Sequence, residues 1–256
     1  LTPVTRTKGS LNPGTGSGPP PPTGRESFFR RSGSTLEAAA KILIVYGIVW
    51  FVWSPFFTSN SINDNRQDWT YGVEYKSYAI TALFDFKEMP YFAWQGRHKG
   101  HRNQAFDTFF ANPETPVLSL TLPLYRFLDY PSAVRTEARF HLFVGVVGAY
   151  VLLAAWLSHV YVGTLLFFCL LYLCSGALAG HTLVGHGNAG SLFALPLVFG
   201  LFLRALKQES QRLLRPAAIG CGALLALLAY SGASHFLVHF LLFLALYSAV
   251  LFGLAP

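Results

Sequence analysis

The sequence predicts an all-α polytopic membrane protein of about six transmembrane helices, with a large extracytoplasmic first loop carrying short interfacial helices. Three observations carry this. The chain of 256 residues is 52% hydrophobic and only 12% charged, where a soluble domain carries about 25% charged residues. Its charges fall in three clusters separated by long apolar runs. Those clusters alternate in the way a membrane topology requires. Disorder and collagen are excluded for most of the chain, as is an ordinary soluble domain. Cys169, Cys174 and Cys221 all lie in apolar runs, so no disulfide framework or zinc ribbon is readable.

The first cluster, residues 1–41, holds six basic and two acidic side chains. Residues 58–139 hold nine of each, and residues 204–215 hold four basic and one acidic. The tail 1–33 is rich in Gly, Pro, Ser and Thr, including Pro19 to Pro22. It cannot bury a core, and is expected to be disordered unless a protein partner orders it. It does not read as a secretory leader, because its apolar run starts too late. Ser34 and Glu37 form a capping box, so the first helix is expected over 34–57.

From Phe140 to Leu203 no acid or strong base occurs. Spans are expected near 140–158, 160–179 and 190–204, broken at Ser158-His159 and by the Gly-rich segment Gly180 to Gly190. Two more fit into 216–256, divided near Ser231-Gly232, so that 140–256 reads as a five-helix region. The positive-inside rule then puts tail 1–41 and cluster 204–215 in the cytoplasm. Segment 58–139 and the Gly180–Gly190 stretch share the outer side. The expected location is therefore a multi-pass membrane position with the N-terminus cytoplasmic.

Segment 58–139 concentrates aromatic side chains, among them Trp69, Tyr71, Tyr75, Tyr78, Tyr91, Phe92 and Trp94. Such a segment suits a membrane interface, and also a sugar, whose C–H faces stack on rings while its hydroxyls need polar partners. Short interfacial helices are expected at Tyr71–Phe86 and Glu114–Leu128. The second has Leu118, Leu122, Tyr125 and Leu128 on one face.

Candidate chemistry lies in three places. Asp64 and Asp68 follow the first span, where a carboxylate serves as a general base, a metal ligand, or simply a loop acid. His181 and His186 sit among Gly176, Gly180, Gly185, Gly187 and Gly190. They read as a pocket for an anionic group such as a lipid phosphate, as metal ligands, or as a hydrogen-bonded pair at a helix break. No cofactor is certain; a divalent metal is possible on these residue types but not favoured. His235 and His239 have i, i+4 spacing without a third ligand. Arg97, His98, Lys99, His101 and Arg102 form a basic cluster suited to a phosphate or to solvent. Nucleic acid is not an expected partner, since acids flank this cluster. A transporter is disfavoured because the spans hold no acid or strong base and show no inverted repeat.

The order of motifs resembles a known family. It runs Asp68-Trp69, Met89-Pro90-Tyr91, Trp94, Ala111-Asn112-Pro113-Glu114, Ser119, Pro123, Gly145, Gly148 and Tyr150. Gly176, His181, Gly185-His186 and Leu195-Pro196-Leu197 follow. This resembles the GT-C superfamily of membrane glycosyltransferases, in particular the bacterial YfhO-like group, over roughly residues 42–205. The resemblance implies two juxtamembrane helices in the first outer loop, and transfer of a sugar from a polyprenyl-phosphate donor to an extracytoplasmic acceptor. It implies Asp68 as catalytic base, with Asp64 second. Substrate contacts would come from His181, His186, Arg97, Arg102, Trp69, Trp94 and Asn112. Where that group has a second acid soon after the Trp, this chain has Thr70. It also has fewer spans than is usual there. It therefore corresponds to an N-terminal half or a shortened relative, and the alternative is a non-catalytic GT-C-like subunit of a larger membrane assembly.

Overall fold

The computed structural model describes residues 24–57, 76–77, 79–87, 119–183, 187–207, 211–231 and 234–253. The chain divides into two compact units, Leu1–Ala40 and Lys41–Pro256. Among the described residues the structure is helical, with no strand.

Helix α1 runs Gly24–Trp53 and ends in a 3-10 turn over Ser54–Phe57. It continues through Ser34, so Ser34 is not the helix cap expected from the sequence. The stretch upstream contains good helix formers, and one glycine at 33 costs only about 1 kcal/mol, too little to stop propagation. Val45, Val49, Trp53 and Phe57 make a buried stripe at four-residue spacing. The opposite face is equally apolar but exposed, with Phe51 at 77%. A helix apolar all round is what a bilayer requires.

Thr81–Phe86 form a π-helical turn, closed by Lys87 in the left-handed region at φ 56. The helix expected at Glu114–Leu128 is, within the described residues, a single turn: α2, Leu124–Phe127. The residues before it are taken into hydrogen-bonded turns, and Pro123 starts it. Leu122 of the expected apolar face is buried, whereas Leu128 is exposed.

Helix α3, Tyr130–Trp156, is about 40 Å long at 1.5 Å per residue. Asp129 caps it, accepting the Ser132 N–H at 3.3 Å, with Pro131 in the first turn. That hydrogen bond holds the Asp129 carboxyl below its ordinary pKa. Helices α4, Val162–Leu173, and α5, Gly176–Leu183, form a bent pair with a 54° angle at the break. A 3-10 stretch, Gly187–Ala194, leads into α6, Leu195–Lys207. Helices α7, Gln211–Tyr230, and α8, Ser234–Gly253, follow.

Two described helical stretches are long and apolar enough to cross a membrane, Ser34–Phe57 and Tyr130–Trp156, and the α4–α5 pair makes a third if it counts as one broken span. The apolar stretches Pro216–Tyr230 and Phe236–Leu251 are shorter. The span expected over 190–204 is divided between the 3-10 stretch and α6.

The most extensive helix pairing is between α3 and α6. It runs parallel: Gly148 meets Leu197, Leu152 meets Gly200, and Lys207 donates to the Ala155 carbonyl. Two glycines permit it. A Cβ on Gly148 would lie 2.6 Å from the Leu197 nitrogen, and one on Gly200 2.8 Å from the Leu152 nitrogen. Small residues at such crossings let backbones approach where lipid provides no hydrophobic drive. Gly148→Ala is therefore expected to destabilise the folded chain in detergent by about 1–3 kcal/mol. Gly47→Ala, with nothing within 4 Å of its Cβ, provides the comparison and should not destabilise. Thermal unfolding of both variants checks this, and equal melting temperatures would contradict the crossing.

Candidate functional site

Glu137 is a carboxylate two turns into a membrane-compatible helix, and it is buried at 8% exposure. An ion there is stable only if its charge is paired and its lone pairs are filled. Both conditions are met by residues distant in sequence. Lys76 Nζ donates to Glu137 Oε2 at 2.5 Å, and to the Tyr125 hydroxyl at 2.7 Å. That hydroxyl in turn donates to Glu137 Oε2. Thr121 Oγ1 donates to the other carboxylate oxygen at 2.6 Å, and it lies 2.7 Å from Ser119 Oγ. The ammonium also sits 4.2 Å from the centre of the Tyr125 ring. Burial, reinforced by the neighbouring carboxylate, pushes the Tyr125 phenol well above its ordinary pKa, so it remains a donor.

The cluster ties three pieces together: the stretch at 76–87, the turns and α2 at 119–127, and the head of α3. At the rim, Arg126 and Asp85 pair at 2.8 Å, half exposed. One turn further along α3, the His141 ring lies parallel to Phe193 at 6.4 Å between centres. A Cβ on Gly190 would collide with that ring, so this position needs glycine. The 3-10 stretch Gly187–Ala194 therefore lies at the same end of α3 as the Glu137 cluster. Tyr172 fastens it further, donating to the Leu192 carbonyl at 2.7 Å. The far end of α3 differs in kind: there Lys207 sits over the Trp156 ring at 5.8 Å.

Of the residues given a catalytic or substrate-binding role from the sequence, His181 is described. It is half-buried on α5, edge-on to Phe236 of α8 at 6.0 Å. Asp64, Asp68, Trp69, Trp94, Arg97, Arg102, Asn112 and His186 lie outside the described residues, as does tail segment 1–23. Glu137, Lys76, Tyr125 and Thr121 were not foreseen. Glu137 carried one signal: it is the last acid before a long run without any. Its partners carried none, since Lys76 is 61 residues away. Among the described residues no three His, Cys, Asp or Glu side chains converge as a metal site would need.

Comparison with protein-family models, curated proteins and solved structures yields no match.

The cluster makes a stability prediction. Glu137→Leu alone leaves a buried ammonium unpaired and should cost about 3–5 kcal/mol. The double variant K76M/E137L removes both charges and should recover most of that loss. Unfolding in detergent measures all three proteins. A single variant as stable as the parent would show that the pair is not closed.

Proposed function

We propose that the chain is a multi-pass membrane glycosyltransferase of the GT-C type, or the N-terminal half of one, acting on a polyprenyl-phosphate-linked sugar. One observation carries the reading. At one end of α3 the fold gathers the 76–87 and 119–127 pieces around Glu137, together with the Gly-rich 187–194 stretch against His141. The other end carries Lys207, at the start of the basic cluster. With cluster 204–215 in the cytoplasm, the gathered end faces the opposite side, where a lipid-phosphate head group meets water. Six spans, a bacterial inner membrane and a cytoplasmic N-terminus held by a partner protein at 1–33 belong to the same proposal.

In this mechanism Asp68, with Asp64 as second, takes the proton of an acceptor hydroxyl. The hydroxyl oxygen then bonds to the anomeric carbon as the bond from that carbon to the phosphate oxygen breaks. The phosphate leaves with the electron pair, and His181, His186, Arg97 and Arg102 stabilise its charge. Trp69 and Trp94 stack on the sugar, and Asn112 hydrogen-bonds to it.

The test uses membranes containing the full chain and a radiolabelled polyprenyl-phosphate hexose. Asp68→Asn should lower transfer of label out of the lipid fraction by roughly 10²–10⁴-fold. Unchanged transfer would remove Asp68 from the mechanism. No transfer by the parent would favour a non-catalytic subunit built on the same fold.

A further inference from the structure

The face of α3 away from Glu137 carries two arginines that the cluster does not use. Arg135 and Arg139 are at i, i+4 and so share one face. Arg139 is exposed, and its guanidinium lies 4.7 Å from the centre of the Trp50 ring on α1. Arg135 is half-buried, and its Nε is shielded from solvent without a hydrogen-bond partner. Among the described residues neither arginine is within ion-pair distance of a carboxylate; the Asp129 carboxylate at the cap of α3 interacts with Arg135 only at longer range. A guanidinium offers five donors and cannot lose its charge, so two of them side by side call for an anion.

The surroundings say which anion. Phe140 and Phe143, on the same helix as the arginines, are exposed, and Phe143 stands edge-on to Tyr46 of α1 at 5.5 Å. Both helices are long and apolar enough to cross a membrane. From Phe140 to Trp156 the helix has 17 residues without an acid or strong base, about 25 Å against a hydrocarbon core of about 30 Å. Arg139 thus falls at the edge of the hydrocarbon, and Arg135 one turn further out, at head-group depth. Trp50 marks the same level, since indoles collect at the interface. A carboxylate from a soluble partner does not reach an acyl-covered face at this depth, whereas the phosphate of a lipid does.

We propose that Arg135, Arg139 and Trp50 form a binding site for the phosphate of an anionic lipid, on the membrane-facing seam between α1 and α3. The two guanidiniums donate to the phosphate oxygens, and the acyl chains lie along Phe140 and Phe143. The inference needs only that α1 and α3 lie in a bilayer, and does not depend on sugar transfer.

The test uses the full chain purified in mild detergent with equal amounts of dioleoyl phosphatidic acid and dioleoyl phosphatidylcholine, with bound lipid counted by native mass spectrometry. Phosphatidic acid should be retained roughly tenfold over phosphatidylcholine. In R135Q/R139Q that preference should vanish, while R204Q, at the opposite end of the bundle, should keep it. Equal retention of the two lipids by the parent, or an unchanged preference in the double variant, would overturn the site. Displacement of phosphatidic acid by excess inorganic phosphate would show a site for a soluble anion and overturn the lipid assignment. Should the double variant lose its helical circular dichroism, a diazirine-bearing phosphatidic acid crosslinked to the parent decides instead. Adducts within 46–53 or 135–143 support the site, and adducts confined elsewhere contradict it.

Discussion

A carboxylate near the start of a membrane helix constrains everything packed around it. Glu137 cannot be solvated where it lies, so the fold must bring it a cation and fill its lone pairs. Lys76, Tyr125 and Thr121 do this from two stretches that are not neighbours in sequence. The pieces at 76–77, 79–87 and 119–127 are thereby held to α3 by a buried polar network as well as by apolar contact, with Ala79, Ile80, Ala82 and Leu122 buried. A satisfied polar network gives orientation as well as attachment, since removing one member leaves the others unpaired.

The helices below obey a different constraint. The α3–α6 pair depends on Gly148 and Gly200, where one backbone runs directly against the other helix. The two constraints meet at His141, one turn from Glu137, which lies against Gly190 and Phe193. Because α3 and α6 are parallel, this contact sets the polar end of the bundle and leaves Lys207 at the other. The asymmetry of the ends is what gives the proposed chemistry a place: one polar and glycine-rich, the other basic.

The apolar, all-helical character was legible because charge is costly in lipid. However, two or three described stretches, against the six expected, are long and apolar enough to cross a membrane, and the helix over Gly176–Leu183 runs through the break expected at Gly180. The charge-free run after Phe140 and the breaks at Ser158-His159 and Ser231-Gly232 correspond to the ends of α3 and α7. Local signals did less well. The Ser34 box sits inside α1, because the sequence upstream is itself compatible with helix. The turn at Lys87 takes a left-handed backbone without a glycine to announce it. The Glu137 cluster was not legible, because its hydrogen bonds span from 12 to 61 residues and no periodicity encodes such pairings. Of the residues to which the family resemblance gives a catalytic or substrate-binding role, His181 alone falls in the described part of the chain, so the proposed chemistry rests on pattern, and the frame around it on geometry.

The central claim is that the stretches at 79–86 and 121–127 are one cooperative unit with the head of α3. Hydrogen–deuterium exchange of the intact chain in detergent tests it most directly, read on peptides covering 79–86, 121–127 and 130–137. The account predicts that the three peptides are protected together and open together, as a single unit does. Rapid exchange of 79–86 and 121–127 beside a protected 130–137 would contradict it.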